Sequence, residues 1–450
     1  MVTQRTGRRL ATFTVTASKH YRCDVIGKTI EYANPWNLPA QWPLRSSVYP
    51  SRSKAAEGAS HVKSDEFPIG HWGAQLDHPR RRALSQLFTP YKVGSLELRN
   101  RIVIAPMCQY SADEGRATDW HTIHLGNLSL SGAGLLIIEA TAVLPDGRIS
   151  PDDLGLWSDE IEEALAHVLE TVRRHSDMPI AIQLAHAGRK ASTRVPWEGG
   201  AQISPDDDRG WQTVAPSAVP FTKGENPPVA LDRHSISDIR HAFGAAAKRA
   251  ARLGLDGIQI HCAHGYLLHQ FLSPLSNHRD DDYGGSLENR MRFPLEVYDI
   301  VRATFPPERP VSMRVSGTDW AAGGWDIAQT IAFAEALKAR GCSAVHVSSG
   351  GLTPEQQIPS GPNYQVPLAR AVKMATNLPT IAVGLITGYD QAEAIVGTAD
   401  ADLVALARAM LYDPRWPWHA AAHLGATVKA PKQYLRSQPA RYRNLFKCEP

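Results

Sequence analysis

Cysteine is scarce: Cys23, Cys108, Cys262, Cys342 and Cys448 are scattered through 450 residues. An odd, dispersed set of five argues against a disulfide framework. No C-x-x-C occurs, which argues against a zinc ribbon or a cysteine-ligated iron–sulfur cluster. A reducing, cytoplasmic setting is therefore expected. No apolar run is long enough to cross a bilayer, so no membrane partner is expected. Charge of one sign is not in excess either. The 48 Lys and Arg against 45 Asp and Glu leave +3, which argues against nucleic acid or an anionic membrane as the main partner. No G-x-G-x-x-G follows the first strand-like run, which weighs against an open doubly wound sheet. Acidic residues are absent before Asp24, while Arg5, Arg8, Arg9, Lys19 and Arg22 precede it. That composition overlaps with an organellar transit peptide within residues 1–30. The plainer expectation is a disordered extension over 1–86, rich in Ser, Arg, Pro and Trp, without a sustained helical or strand period.

What is present is a repeating alternation of strand and helix. The 43% hydrophobic content is enough for a large core. Two apolar stretches around Gly94-Ser95 read as a hairpin that plugs the bottom of a barrel. Eight apolar runs follow: 102–106, 135–138, 179–184, 257–260, 310–315, 344–347, 380–383 and 403–406. Between them, Ser158 is placed to cap a helix with Ile161, Leu165, Val168, Leu169 and Val172 on one face. Ser237 is read as capping another, with a third over 326–339 and a fourth over 389–396. Continuous apolar strands alternating with helices imply a parallel (β/α)8 TIM barrel over 87–436, followed by a C-terminal tail over 437–450. The stretch from Arg189 to Arg233 is long for a connection and is read as an excursion over the top face.

In such barrels the chemistry lies where strands end. Those ends carry Ala105-Pro106-Met107-Cys108-Gln109-Tyr110, then Ala140, Gln183, His261-Cys262-Ala263-His264-Gly265-Tyr266, Arg314, Ser349, Gly384 and Ala407-Arg408. No carboxylate cage for a metal is among them. His261 and His264 make half of a zinc site at most. As hydrogen-bond donors they would stabilise negative charge on a substrate oxygen, with Tyr266 as proton donor. Ordinary packing of the three is the competing reading. Arg314 and Gln183 suit the polar edge of a planar ring. Small residues after the seventh and eighth strands, with Arg408, suit a phosphate. Cys108 is either an inert thiol or a sulfur beside a redox ring.

Four motifs carry a resemblance: Ala105–Tyr110, Ile182–Lys190, His261–Tyr266 and Ser273–Arg279, with Tyr283–Arg290 following. From about Leu87 to Arg436 the chain resembles the Old Yellow Enzyme family of FMN-dependent ene-reductases. It is most similar to the thermophilic-like branch, which includes xenobiotic reductases and bacterial NADPH dehydrogenases. The resemblance implies FMN across the top of the barrel, contacted by Ala105, Pro106, Met107, Cys108, Ala140, Gln183 and Arg314. Ala407, where the family often has Gly, and Arg408 would help to hold its phosphate, and Cys108 would modulate the flavin. NADPH or NADH would reduce it. An electrophilic alkene, such as an α,β-unsaturated carbonyl compound, would then bind through His261 and His264 and take a proton from Tyr266. Tyr110 would line the pocket, and Arg436 would enter a neighbouring subunit's site in a homodimer or homotetramer. Another FMN barrel, such as a dihydroorotate or dienoyl-CoA reductase, is the rival enzyme. A non-catalytic flavin-binding or redox-sensing protein is the rival of another class.

Overall fold

The computed structural model describes residues 84–447, and in the earlier chain three short strands. These strands, Phe13–Thr14, His20–Val25 and Lys28–Ala33, pair antiparallel in chain order within a unit of their own, Met1–Asp77. Otherwise the expected disorder over 1–86 and the transit-peptide alternative fall almost wholly on residues 1–83, outside the described residues.

The second unit is a closed barrel of eight parallel strands. They are β1 (Ile102–Ile104), β2 (Leu135–Ala142), β3 (Ile180–Ala185), β4 (Gly257–Cys262), β5 (Val311–Ser316), β6 (Val345–Ser348), β7 (Thr380–Ala382) and β8 (Leu403–Leu406). β1 pairs with both β2 and β8, which closes the ring. Each strand is buried on both faces, so its sequence reads as an apolar run rather than an alternation. The two faces still differ. In β4, Ile258, Ile260 and Cys262 pack in the layer between strands and helices. Gly257, Gln259 and His261 therefore face the interior, because successive side chains alternate. Cys262 thus lies against the barrel wall, away from the site.

The hairpin closes the bottom. Tyr91–Val93 pairs with Leu96–Leu98 around Gly94, whose φ of 60° suits the turn. Val93 and Leu98 join Val103, Leu135, Ala181 and Leu403 in the interior cluster. β2 runs four residues beyond the apolar run and carries a bulge between Ile138 and Ala140.

The outer helices include α1 (Asp119–Ser129), α2 (Asp159–Arg173) and α3 (Arg233–Arg252). Then come the short α4 (Leu267–Leu272), α5 (Leu287–Thr304), α6 (Ile327–Ala339), α7 (Val366–Thr376), α8 (Tyr389–Gly397), the short α9 (Arg408–Tyr412) and α10 (Trp416–Leu424). Ser158 caps α2 by accepting the Ile161 N–H, and the five apolar residues read from its sequence are buried. Ser237 does not cap α3. The cap lies five residues earlier, where the Asp232 carboxylate accepts the Ser235 N–H. Its first turn is polar, so the apolar stripe becomes visible only at Ile236. Residues past 436, read as a tail, turn back. Phe446–Lys447 pairs with Val428–Lys429, and Leu445 and Phe446 pack on Ala421 and Ala430.

The 189–233 excursion carries two-residue parallel strands, Val214–Ala215 and Val229–Ala230. Trp197 in it meets Tyr110 of the loop after β1 edge to face at 5.7 Å, so the excursion covers the top.

Leu98 is fully buried in the plug. Leu98→Ala should cost about 2–5 kcal/mol, as large-to-small core changes do. Urea unfolding of the holoprotein measures it, and a loss near zero would mean that the hairpin does not seal the core.

Candidate active site

β4 delivers His261 to the barrel interior, and the next four residues make a tight turn. His264 and Gly265 both take left-handed backbone, at φ 58° and 75°. His261 Nδ1 accepts the Ala263 N–H at 3.2 Å, which leaves its Nε2 to carry a proton. The His264 N–H donates to Ser316 Oγ at 2.9 Å, and its Nε2 lies 2.7 Å from Ser348 Oγ. The two imidazoles stand edge to face at 5.2 Å, and His261 and the Tyr266 ring at 4.9 Å. Burial, then the Arg314 charge, push both imidazoles well below the usual histidine range. They are neutral at pH 7. Burial pushes the Tyr266 phenol well up, so it keeps its proton. The cluster offers uncharged N–H and O–H donors and no base of high strength.

Backbone contact fixes the turn. A Cβ on Gly265 would lie 2.1 Å from the Gly351 carbonyl oxygen, and one on Gly351 would lie 2.6 Å from the His264 backbone. Lys190, from the loop after β3, bridges the two segments: its Nζ donates to His264 O at 2.8 Å and Gly351 O at 2.9 Å. It also lies 5.1 Å from the Tyr266 ring centroid and 4.5 Å from that of Phe221. Buried Gln270 donates to Ala187 O and Gly265 O. His269 Nδ1 accepts the Gly265 N–H at 2.9 Å, with Asp319 behind it at 2.9 Å.

Below this layer the interior is polar. Gln183 donates to Gln259 at 2.8 Å, and Gln259 meets His346 Nδ1 at 3.3 Å. Arg314, only 8% exposed, makes no hydrogen bond or ion pair among the described residues, and its Nε is buried without a partner. Burial lowers its pKa to about 10, so it remains a cation. A buried guanidinium without a carboxylate calls for an acceptor-rich group. Its surroundings suit a flat one: Ala105 and Ala140 are small and interior-facing, and Gly384, at φ 114°, has Gln365 Nε2 2.3 Å from where a Cβ would be. Arg408, at the start of α9, is exposed without an ion pair or hydrogen bond among the described residues, as a phosphate partner would need to be. These residues fit FMN.

The structure thus brings together most of the residues singled out from sequence. Pro106, Met107 and Cys108 follow β1 beside Arg314. Burial, then Asp153 and Glu139, push the Cys108 thiol well up, which disfavours a thiolate nucleophile. Ser349 is buried with its hydroxyl committed to Gln365 at 2.6 Å. Arg436 stands apart, exposed on the short 3-10 helix Lys432–Ser437. Among the described residues no three His, Cys, Asp or Glu side chains converge as a metal site. Sequence reasoning gave no role to Lys190, Gln259, His346, Ser348 or Gln365. The interior parity of Gln259, two residues before His261, was the available signal.

Fold and site define a barrel oxidoreductase that works with a bound planar cofactor. The chain belongs to the NADH:flavin oxidoreductase / NADH oxidase family, whose model matches residues 86–426, and within it to the Old Yellow Enzyme type. Its cofactor is FMN and its reductant a nicotinamide dinucleotide. It is 42% identical over 354 residues to an NADPH dehydrogenase of Geobacillus sp., covering 78% of this chain and 98% of that protein. It is 41% identical over 414 residues to an NADH:flavin oxidoreductase of Gibberella zeae, covering 88% and 98%. That second match is longer than residues 87–450, so it reaches into the N-terminal segment. Among solved structures, morphinone reductase matches at 31% identity and a TM-score of 0.64, over 77% of this chain and 91% of that one. No described helix is long and apolar enough to cross a membrane.

Arg314→Ala should leave the protein folded but largely free of flavin, because a charge-assisted contact is worth about 1.5–3 kcal/mol. The FMN-to-protein ratio after gel filtration measures this, and full retention would remove Arg314 from the cofactor contacts.

Proposed function

We propose that the protein is an ene-reductase, reducing the activated C=C bond of α,β-unsaturated carbonyl compounds and related electrophilic xenobiotics. The observation that carries this reading is the edge-to-face trio of two neutral imidazoles and a protonated phenol. When bound, FMN supplies the hydride chemistry, from NADPH or NADH to the β-carbon of the alkene. His261 Nε2–H and His264 hold the carbonyl oxygen and draw negative charge toward it. Their neutrality suits this role, since neutral donors polarise the carbonyl without handing over a proton. Tyr266 protonates the α-carbon. Its raised pKa keeps the proton in place until a strongly basic carbon appears beside it.

Ala105 to Cys108, Ala140, Gln183, Arg314, Ser349, Gly384, Ala407 and Arg408 hold the cofactor in this reading. Tyr110, backed by Trp197, lines the substrate side. Cys108, a neutral thiol near Arg314, tunes the flavin's electronics. Arg436, exposed and without an ion pair among the described residues, reaches a second copy in a homodimer or homotetramer. The exposed Trp120, Ile123 and Tyr412 support such an assembly.

Tyr266→Phe should slow flavin reoxidation by cyclohexenone about 10²-fold or more, while reduction by NADPH is unaffected, as expected for loss of a general acid. Anaerobic stopped-flow separates the two steps. Equal loss in both would contradict the assignment, and reduced flavin that cyclohexenone never reoxidises in the native enzyme would overturn the ene-reductase reading. His261→Ala should weaken phenol binding about 10-fold or more, since one hydrogen bond to a charged oxygen is lost. Cys108→Ser should shift the flavin potential, read by equilibrium dye titration.

A further inference from the structure

One buried acid is left without a role by that mechanism. Asp153 lies in the loop after β2 and is 1% exposed. Its Oδ1 accepts the Ser150 hydroxyl at 2.8 Å and its Oδ2 the Ile149 N–H at 2.9 Å. No cation forms an ion pair with it among the described residues. The titratable groups facing it are Glu139 on β2, Arg148 on its own loop, Cys108 and Tyr110 after β1, and Tyr266 after β4. A small cavity of about 10 Å³ lies between Asp153 and Tyr266, walled by Ala140, Ala185, Ala187 and Arg148. That is room for about one water, and the polar groups around it meet a water's need for two to four partners.

We propose that Asp153 resupplies the proton of Tyr266 through a single water in this cavity. The inference rests on Tyr266 being the proton donor. After the Tyr266 O–H bond breaks and its proton joins the substrate's α-carbon, a tyrosinate is left in a buried site. The water gives that oxygen a proton and takes one from the Asp153 carboxyl group. Asp153 is left as carboxylate and regains its proton from solvent. No electrons move and no bond to carbon is involved. Burial pushes the Asp153 carboxyl up to about 7, with Glu139 adding to the effect and the Ser150 and Ile149 hydrogen bonds opposing it. The protonated, donating form is therefore populated at neutral pH and is lost as pH rises through that value. Asp153 is a positioning residue in this scheme, acting only through Tyr266.

The test uses FMN-loaded enzyme in anaerobic stopped-flow from pH 5.5 to 9, with NADPH for reduction and repeated turnovers of cyclohexenone for reoxidation. In the native enzyme, steady-state reoxidation should fall as pH rises through about 7. Asp153→Asn should slow it about tenfold or more at pH 6 and flatten that profile, while reduction by NADPH is unchanged, in line with loss of one proton-transfer group. Asp153→Glu should restore a pH-dependent rate. An Asp153→Asn enzyme with native reoxidation and an unaltered profile would overturn the relay. So would equal loss in both half-reactions that Asp153→Glu does not rescue. If Tyr266→Phe reoxidises normally, the donor assignment itself fails. If Tyr266→Phe is slow and Asp153→Asn is not, only the relay fails.

Discussion

The geometry of the site depends on the ammonium group of Lys190. It stands on the loop after β3 and ties the loops after β4 and β6 together through two carbonyl oxygens. Three separate βα connections therefore share one atom. The two bridged backbones touch so closely that neither Gly265 nor Gly351 has room for a side chain. Burial and the neighbouring Arg189 lower the lysine's pKa to about 8, so the clamp is largely cationic at neutral pH. Two carbonyls and two aromatic faces offset the desolvation that this charge suffers. β4 places His261 and the start of α4 places Tyr266, and the clamp fixes His264 in the turn between them.

The same charge shapes the chemistry. Lys190 and Arg314 place two cations beside the imidazoles, and both depress histidine protonation. A positively charged site lined by neutral donors favours negative charge that arises during a reaction over charge already present. In the proposed reaction, oxygen polarisation and proton delivery are divided between different side chains. The excursion from 189 to 233 adds two aromatic contacts at this face, Trp197 on Tyr110 and Phe221 on Lys190.

The barrel was largely legible in the sequence because burial on both faces makes each strand a continuous apolar run. The plug was legible from the Gly-Ser turn, and α2 from its cap and stripe. The start of α3 was not, because Asp232 precedes a charged first turn that shows no apolar period. The long β2 was cut short at Ile138 because Glu139 interrupts its apolar run. At the site, residues at strand ends could be named, since barrel topology brings those ends together. The clamp could not, because a lysine that bonds backbone carbonyls leaves no pattern in sequence. Gln259, His346 and Gln365 were hidden for a related reason. Their partners are more than a dozen residues away, and only closure of the ring brings them into contact.

The bulge in β2 has a consequence beyond local shape. Without the extra residue, strict alternation would turn Glu139 into the barrel and Ala140 out of it. With it, Ala140 pairs beside Gln183 on the inner face. Glu139 instead accepts the Gln109 N–H at 2.8 Å and lies 3.4 Å from His121 of α1. The bulge therefore decides whether the reaction chamber contains an anion. A strand without the bulge would turn a carboxylate toward Arg314 and Lys190 and lower the chamber's positive charge, with every side chain elsewhere unchanged. In that sense a single position of chain length, not of side-chain type, sets how strongly positive the site is.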